Sequence, residues 1–406
     1  MSDEDWKGWY QDDKPERSAD GPGYGATHDM TAAAGGGWSQ PTAASQWPAQ
    51  PPSVSPPREP GAPYRGGRGA QPGGGRGGGG RRWRFWGQPG RHGRRIALIA
   101  GLVVVILLVT FVSTYFWLDG KLNKTVALPA FSGQSAGENW LIVGSDSRQG
   151  LTTQEIVQDH VGFDEGTSDS DSLMLLHMGS GRPVLISIPR DSYVPIPGYG
   201  ENKINAALAF GGPTLLVQTV ENVTGLRINH YMGIGFEGLV NVVNTVGGVR
   251  ICLSTAINDS YSGADLSAGC HNLNGTQALA FVRDRHSFAT SDLQRIQDQR
   301  AFLKALMSKA ATPGVYLNPF TAYPFASTAA SSIAVDKGTS LYDLSQAAFA
   351  LRDPLTGTVP IANAAYETSN AGEAVLWNRS EALQLFDALQ RGKQVPSGLL
   401  SGTTVG

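Results

Sequence analysis

Apolar and polar positions alternate in three distinct rhythms along this chain. Residues 96–118 form one unbroken apolar run without a charge. At about 1.5 Å per residue, a helix of that length crosses a hydrocarbon layer roughly 30 Å thick. Residues 140–143, 173–178 and 183–189 are short apolar runs, the last two joined through a Gly179-Ser180-Gly181 turn, and they predict buried strands. Helical spacing predicts a helix over 206–223 interrupted at Gly211-Gly212-Pro213, with Pro213 in a first turn. A second helix over 236–246 stops at Gly247-Gly248 and leads into a strand at 249–253. A short helix follows at 276–282, then a long one opening at Ser291, where Ser291 and Gln294 have capping-box spacing. Strands and helices alternate without strict βαβ order. An α/β fold with a mixed β-sheet covered by helices is therefore expected, rather than a doubly wound one.

Composition divides the chain at the apolar run. Residues 1–95, under a quarter of the chain, are dense in glycine and proline, with 21 of the 52 glycines and 12 of the 24 prolines, and hold few aliphatic residues, so they are read as a disordered tail. Arg76, Arg81, Arg82, Arg84, Arg91, Arg94 and Arg95 precede the run, whereas only Lys121 and Lys124 closely follow it. This bias predicts a single-pass signal anchor at 96–118 in the cell membrane, with a cytoplasmic N-terminus and an extracytoplasmic C-terminal part. A buried core helix is the alternative. The arginine run suits anionic headgroups; nucleic acid is the lesser reading, and no nucleic-acid partner is expected. The net charge of −2 averages two unlike parts and excludes little. Residues 119–138 are read as a stalk, 139–311 as the extracytoplasmic catalytic domain and 312–406 as its C-terminal extension. Cys252 and Cys270 are the two cysteines; outside the cell they are read as a disulfide closing a short loop, the alternative being two buried thiols.

Candidate chemistry concentrates in four segments. On a helix from Asp292, the residues Asp292, Arg295 and Gln299 share a stripe with Leu303 and Leu306. The face that should enter the core thus begins with a carboxylate, a guanidinium and an amide. Such groups point to a polar cavity and a charged ligand, with an Asp292–Arg295 ion pair as the structural alternative. Arg190 and Asp191 end an apolar strand, Arg283 and Arg285 share a side if their segment is extended, and Lys203 adds a further cation. Guanidinium forks converging on one pocket suit phosphate or pyrophosphate. Asp146 and Asp171 flank strands and are candidates to hold Mg²⁺, with Mn²⁺ as an alternative, together with substrate phosphate oxygens. There is no nucleophile elbow, Walker loop, dinucleotide motif or zinc-ligand cluster in the sequence.

In order, Leu141-Ile-Val-Gly-Ser-Asp-Ser-Arg148, Ser170-Asp-Ser-Leu-Met-Leu175, Leu185-Ile-Ser-Ile-Pro-Arg-Asp191, Lys203-Ile-Asn-Ala206, Phe281-Val-Arg-Asp-Arg285 and the Asp292-x-x-Arg295-x-x-x-Gln299-Arg300 run resemble the LytR–CpsA–Psr family of cell-wall glycopolymer ligases, most of all its actinobacterial arabinogalactan–peptidoglycan type. The resemblance implies transfer of a polyprenyl-pyrophosphate-linked glycan to the muramyl C6 hydroxyl of peptidoglycan. It implies that Arg190, Arg283, Arg285, Arg295 and Gln299 grip the pyrophosphate, that Asp146 and Asp171 hold Mg²⁺, and that Asp292 orients the arginines. Asp169 departs from the family pattern, in which an arginine stands two positions before the second metal aspartate; this bears on the metal shell more than on the activity. Apolar faces at 206–210 and 236–243 are candidates to enclose the prenyl tail, or are ordinary core. A pyrophosphatase acting on the same lipid and a non-catalytic envelope regulator are the rival functions.

Overall fold

The structure, a computed structural model, describes residues 91–130, 133–146, 154, 170–284 and 291–400, except the side chains of Arg91, Asp171, Ser291, Asp292 and Leu293. Residues 1–90 of the expected tail, Asp169, Arg285 and the side chains of the Ser291 cap and Asp292 lie outside these residues, whereas 91–95, also expected in the tail, are the first turns of a helix that continues into the apolar run. The compact unit that holds the fold begins at Leu98.

Helix α1 (Arg91–Asp119) carries the apolar run. After it come β1 (Asn123–Thr125), β2 (Glu138–Ser145), β3 (Ser170–Met178), β4 (Val184–Ile188) and a hairpin of β5 (Tyr193–Ile196) with β6 (Gly200–Lys203). Helix α2 (Ala206–Thr224) is broken at Gly211 and Gly212, the latter at φ 66°, and resumes at Pro213. A Cβ at Gly211 would meet that of Leu215 at 2.6 Å, so the kink needs glycine there. Strand β7 (His230–Ile234), α3 (Phe236–Thr245), β8 (Val249–Leu253), β9 (Ile257–Asp259), β10 (Ala264–Leu266) and β11 (Gly269–Leu273) follow. Then come α4 (Gly275–Arg283), capped by a reciprocal Asn274–Gln277 box, and α5 (Ser291–Ala310). The C-terminal part adds α6 (Pro313–Tyr316), α7 (Pro319–Ser332), β12 (Ile333–Asp336), α8 (Leu341–Ala350), β13 (Leu355–Thr358), a β14–β15 hairpin (Ile361–Thr368, Gly372–Trp377), α9 (Arg379–Gln390) and α10 (Ser397–Leu400).

The central sheet has the order β1-β12-β7-β2-β3-β4-β13. It is mixed: β2 runs parallel to β7 and antiparallel to β3, and β13 parallel to β4. Alternate residues along each strand separate to two faces. Leu141, Val143, Leu173, Leu175 and Ile186 join α2 and α9 in one core, while Trp140, Ile142, Met174 and Leu176 face α5 and α8 in another.

The stalk expected at 119–138 is corrected. Leu122 is buried, and β1 pairs in parallel with β12, becoming the edge of the sheet. The physical reason is that β12 would otherwise leave its backbone groups unpaired, and β12 comes from a distant part of the sequence. The region after residue 312 is likewise integral, since it supplies β12 and β13 to the sheet. At the starts of β2 and β7, His230 Nε2 lies 2.6 Å from Glu138 Oε1, and Nδ1 lies 2.6 Å from Thr339 Oγ1. The His230 ring stacks on Trp140, and Thr339 also donates to Asp336.

Candidate active site

Because β3 runs against both β2 and β4, the ends of β2 and β4 and the start of β3 meet at one edge of the sheet. Asp146 follows β2, and Ser145 pairs with Ser170, the neighbour of Asp171. Arg190 lies two residues beyond β4, whose Ile188 pairs with Leu173. Three of the sequence candidates thus share one corner by backbone placement. Here Asp191 accepts from Arg190 Nε at 3.3 Å and lies 3.3 Å from Lys203 Nζ. One half-buried carboxylate therefore holds two cations in place, and this trio of Arg190, Asp191 and Lys203 carries a net positive charge.

Arg283, Arg295 and Gln299 form a second group. Arg295 is 5% exposed and Gln299 8%, on the α5 stripe that continues through Leu303 and Leu306. Gln299 Nε2 donates to the Val282 carbonyl at 3.2 Å, which ties α5 to the last turn of α4. The Arg283 guanidinium lies 4.9 Å from the Phe236 ring centre, a cation–π contact that fixes its direction. On the flank of α5, Asp298 is pushed up to about 6 by burial, helped by Asp284 and opposed by the amide of Gln294.

All three residues of this group line a cavity of about 950 Å³. Its floor is Ile142, Met174 and Met232, which lie in register on three adjacent strands. Phe236, Leu239 and Val242 of α3 form one wall; Leu303 and Leu306 of α5, Phe325 of α7 and Leu344 of α8 form others. Ser145, Ser172 and Tyr261 join the arginines as polar groups in its lining. The segment 236–243 therefore lines the cavity with Phe236, Leu239 and Val242, while Val243 belongs to a packed core beside it. The segment 206–210 does not: Ala206, Ala207 and Leu208 belong to the core on the other face of the sheet. Helical periodicity shows that a face is apolar, not which side of a sheet it covers.

Sequence reasoning missed the floor and the contribution of α7 and α8. The available signal was the stretch from Ala310 to Val335, which holds no charged residue. Tyr261, in the β9–β10 turn, had no signal. Cys252 and Cys270 sit opposite each other on β8 and β11 and are bonded, with Cα atoms 3.9 Å apart. The described residues contain no group of three or more His, Cys, Asp or Glu side chains placed to hold a metal. By backbone position Asp146 and Asp171 stand at adjacent strand ends, but the side chain of Asp171 lies outside the described residues.

These features define an α/β protein with a helix long and apolar enough to cross a membrane and an apolar cavity lined in part by arginines. The sequence profile of the LytR_cpsA_psr family matches residues 108–373, and the chain belongs to that family. It is 45% identical over 295 residues to the probable cell wall biosynthesis protein LcpB of Corynebacterium glutamicum, covering 72% of this chain and 70% of that protein. It is 37% identical over 180 residues to the polyisoprenyl-teichoic acid–peptidoglycan teichoic acid transferase TagU of Oceanobacillus iheyensis, covering 43% of this chain and 52% of TagU. The solved LytR-Csp2A-Psr enzyme from Actinomyces oris shares the fold, with a TM-score of 0.53 at 22% identity over 66% of this chain and 96% of that one.

Proposed function

We propose that this chain is a cell-wall glycopolymer transferase that moves a polyprenyl-pyrophosphate-linked glycan, arabinogalactan by its actinobacterial kinship, onto the muramyl C6 hydroxyl of peptidoglycan. The observation that carries the reading is the joining of a large apolar cavity and cationic lining groups in one site. A prenyl chain and its pyrophosphate have the same two-part chemistry. The names and alignments of LcpB and TagU support a role in wall assembly.

In this reading the prenyl tail lies over Ile142, Met174 and Met232, and Arg283, Arg295 and Gln299 face the pyrophosphate. Arg190 and Lys203 supply positive charge from the adjoining corner. Arg285 and Asp292 are assigned to the same group from their motifs. The muramyl oxygen attacks the phosphorus attached to the glycan, the bridging P–O bond breaks, polyprenyl phosphate departs, and the hydroxyl proton leaves to a base. Fixed guanidinium donors stabilise charge on the non-bridging and leaving oxygens without reorganising. Asp146 and Asp171 would hold Mg²⁺, which when bound neutralises phosphate charge. The N-terminus is cytoplasmic and the domain lies outside, a reading that rests on the arginines preceding α1.

The test uses the full chain in lipid nanodiscs with Mg²⁺, a pyrophosphate-linked lipid glycan and peptidoglycan fragments. Mass spectrometry should find a glycan–phosphate–muramyl product that disappears in Arg283→Ala. Free glycan phosphate without acceptor dependence would mark a pyrophosphatase instead. Tight lipid binding without turnover would mark a regulator.

A further inference from the structure

The end of α1 does not project freely from the fold; it is clasped by it. The Trp117 ring stacks on Tyr323 of α7 with centroids 5.4 Å apart. One helical turn further along α7, Ser327 Oγ accepts from Lys121 Nζ at 2.9 Å. That ammonium also lies 3.9 Å from the centre of the Trp117 ring. On the other side, Asp119 Oδ1 accepts from the Leu341 N–H at 2.8 Å, at the start of α8. Both helices are thus held against the last turn of α1.

This fixes their depth. If α1 spans the bilayer from Ile96, about 20 residues at 1.5 Å each bring Trp117 to the far headgroup boundary, where tryptophan and tyrosine concentrate. Tyr323, stacked on Trp117, then lies at the same level. Phe320, one turn earlier on α7, is 89% exposed, and Tyr316, Leu317 and Tyr342 are also exposed. No charge occurs between Ala310 and Val335, so the α6–α7 part of this surface carries nothing that resists entry into an interfacial layer; beside Tyr342, Asp343 is turned back to cap α8 through Ser340. In water the same group would be an exposed apolar patch with no compensating function.

We propose that the α6–α7 turn and the start of α8 form a docking surface for the bilayer leaflet into which the C-terminal end of α1 emerges, with Tyr316, Leu317, Phe320 and Tyr342 seated among its headgroups. The surface holds the domain at one orientation rather than letting it swing on a tether. Tyr316, in this surface, also lines the cavity and so brings part of its lining toward the lipid phase. The proposal rests on the reading of α1 as a membrane span.

The test places single cysteines in the full chain, as Phe320→Cys, Tyr342→Cys, Leu107→Cys and Glu367→Cys, each labelled with an environment-sensitive fluorophore. Each labelled protein is reconstituted at one copy per nanodisc of phosphatidylglycerol and phosphatidylcholine. The labels at 320 and 342 should lose quenching by aqueous iodide and gain quenching by lipids bearing a nitroxide near the headgroup. The label at 367, on the β14–β15 hairpin at the opposite face of the sheet, should remain open to iodide. Equal iodide access at 320, 342 and 367 would overturn the proposal. So would protection that appears only with two copies per disc, which would assign the surface to a second copy of the chain. A label at 107 that lipid-borne quenchers do not reach would show instead that α1 does not span, and the docking surface would fall with that reading.

Discussion

The two faces of the central sheet both carry apolar clusters and are used in opposite ways. On one, Leu141, Leu175, Ile186 and the α2 residues Leu216, Val217 and Val220 are fully buried and closely packed. On the other, α5, α7 and α8 stand far enough from Ile142, Met174 and Met232 to leave about 950 Å³ open between them. The same contrast appears in buried charge. Glu221, within the packed face, has an Oε2 with no hydrogen-bond partner among the described residues, and burial pushes it up to about 7 against its bond from the Ile228 N–H. Arg295, on the open face, keeps a guanidinium in the lining of a cavity. A packed core tolerates a charge by neutralising it, whereas a binding face retains it for a ligand.

The contrast can be broken by matched substitutions. Leu175→Ala on the packed face should cost about 2–5 kcal/mol in denaturant unfolding, while Met232→Ala on the cavity floor should cost less, because Met232 is only partly buried and opens on one side into the cavity. Met232→Trp should leave stability near wild type and abolish binding of the lipid donor. An equal stability loss at both positions would mean the cavity is closed in solution. Arg283→Ala should lower transfer by a factor of about 10²–10³ with the unfolding midpoint unchanged, the scale set by removing one preorganised donor. Next in size, replacing Cys252 and Cys270 with serine should cost about 3 kcal/mol by the chain-entropy estimate and loosen the wall formed by α3 and α4.

Two smaller effects depend on pH. Glu221 binds its proton more tightly in the folded chain than at its ordinary value of 4.5. Its contribution is therefore most favourable at low pH and is lost as pH rises through about 4.5 to 7. Glu221→Gln keeps the acceptor for Ile228 and should flatten that loss, worth about 3 kcal/mol at neutral pH, as read from melting temperature against pH. The smallest effect concerns His230. Burial alone would lower its pKa, but Asp336, Glu138 and Asp343 outweigh burial and raise it. Asp336 is lowered: burial opposes this, but bonds from His230, Thr339 and the Tyr231 N–H prevail. The histidine's contribution is complete below its ordinary value and is lost as pH rises through the raised one. The aspartate's contribution is lost as pH falls through its lowered value. The pair is thus most stabilising between about pH 4 and 6.5. His230→Gln should remove the loss on the alkaline side, and a pH profile unchanged by it would sink that assignment.

Much of the scaffold was legible in the sequence. Strands β2, β3 and β4, the glycine break in α2, the stop after α3 and the long α5 all follow from local periodicity and punctuation. So does the Arg295–Gln299–Leu303–Leu306 stripe, because one helix sets its own geometry. Local pattern did not reveal that residues 123–125 complete a sheet edge. It also left open which side of the sheet residues 206–210 cover.

By itself the sequence determined the apolar span, the strand-and-helix inventory, and the clustering of arginines and aspartates at element ends, since each depends on neighbours within a few residues. Only the tertiary structure decided that one face of the sheet closes and the other stays open. The space between a helix and a sheet depends on where the chain returns after long excursions, and here α7, β12 and α8 return to close both the cavity and the end of α1.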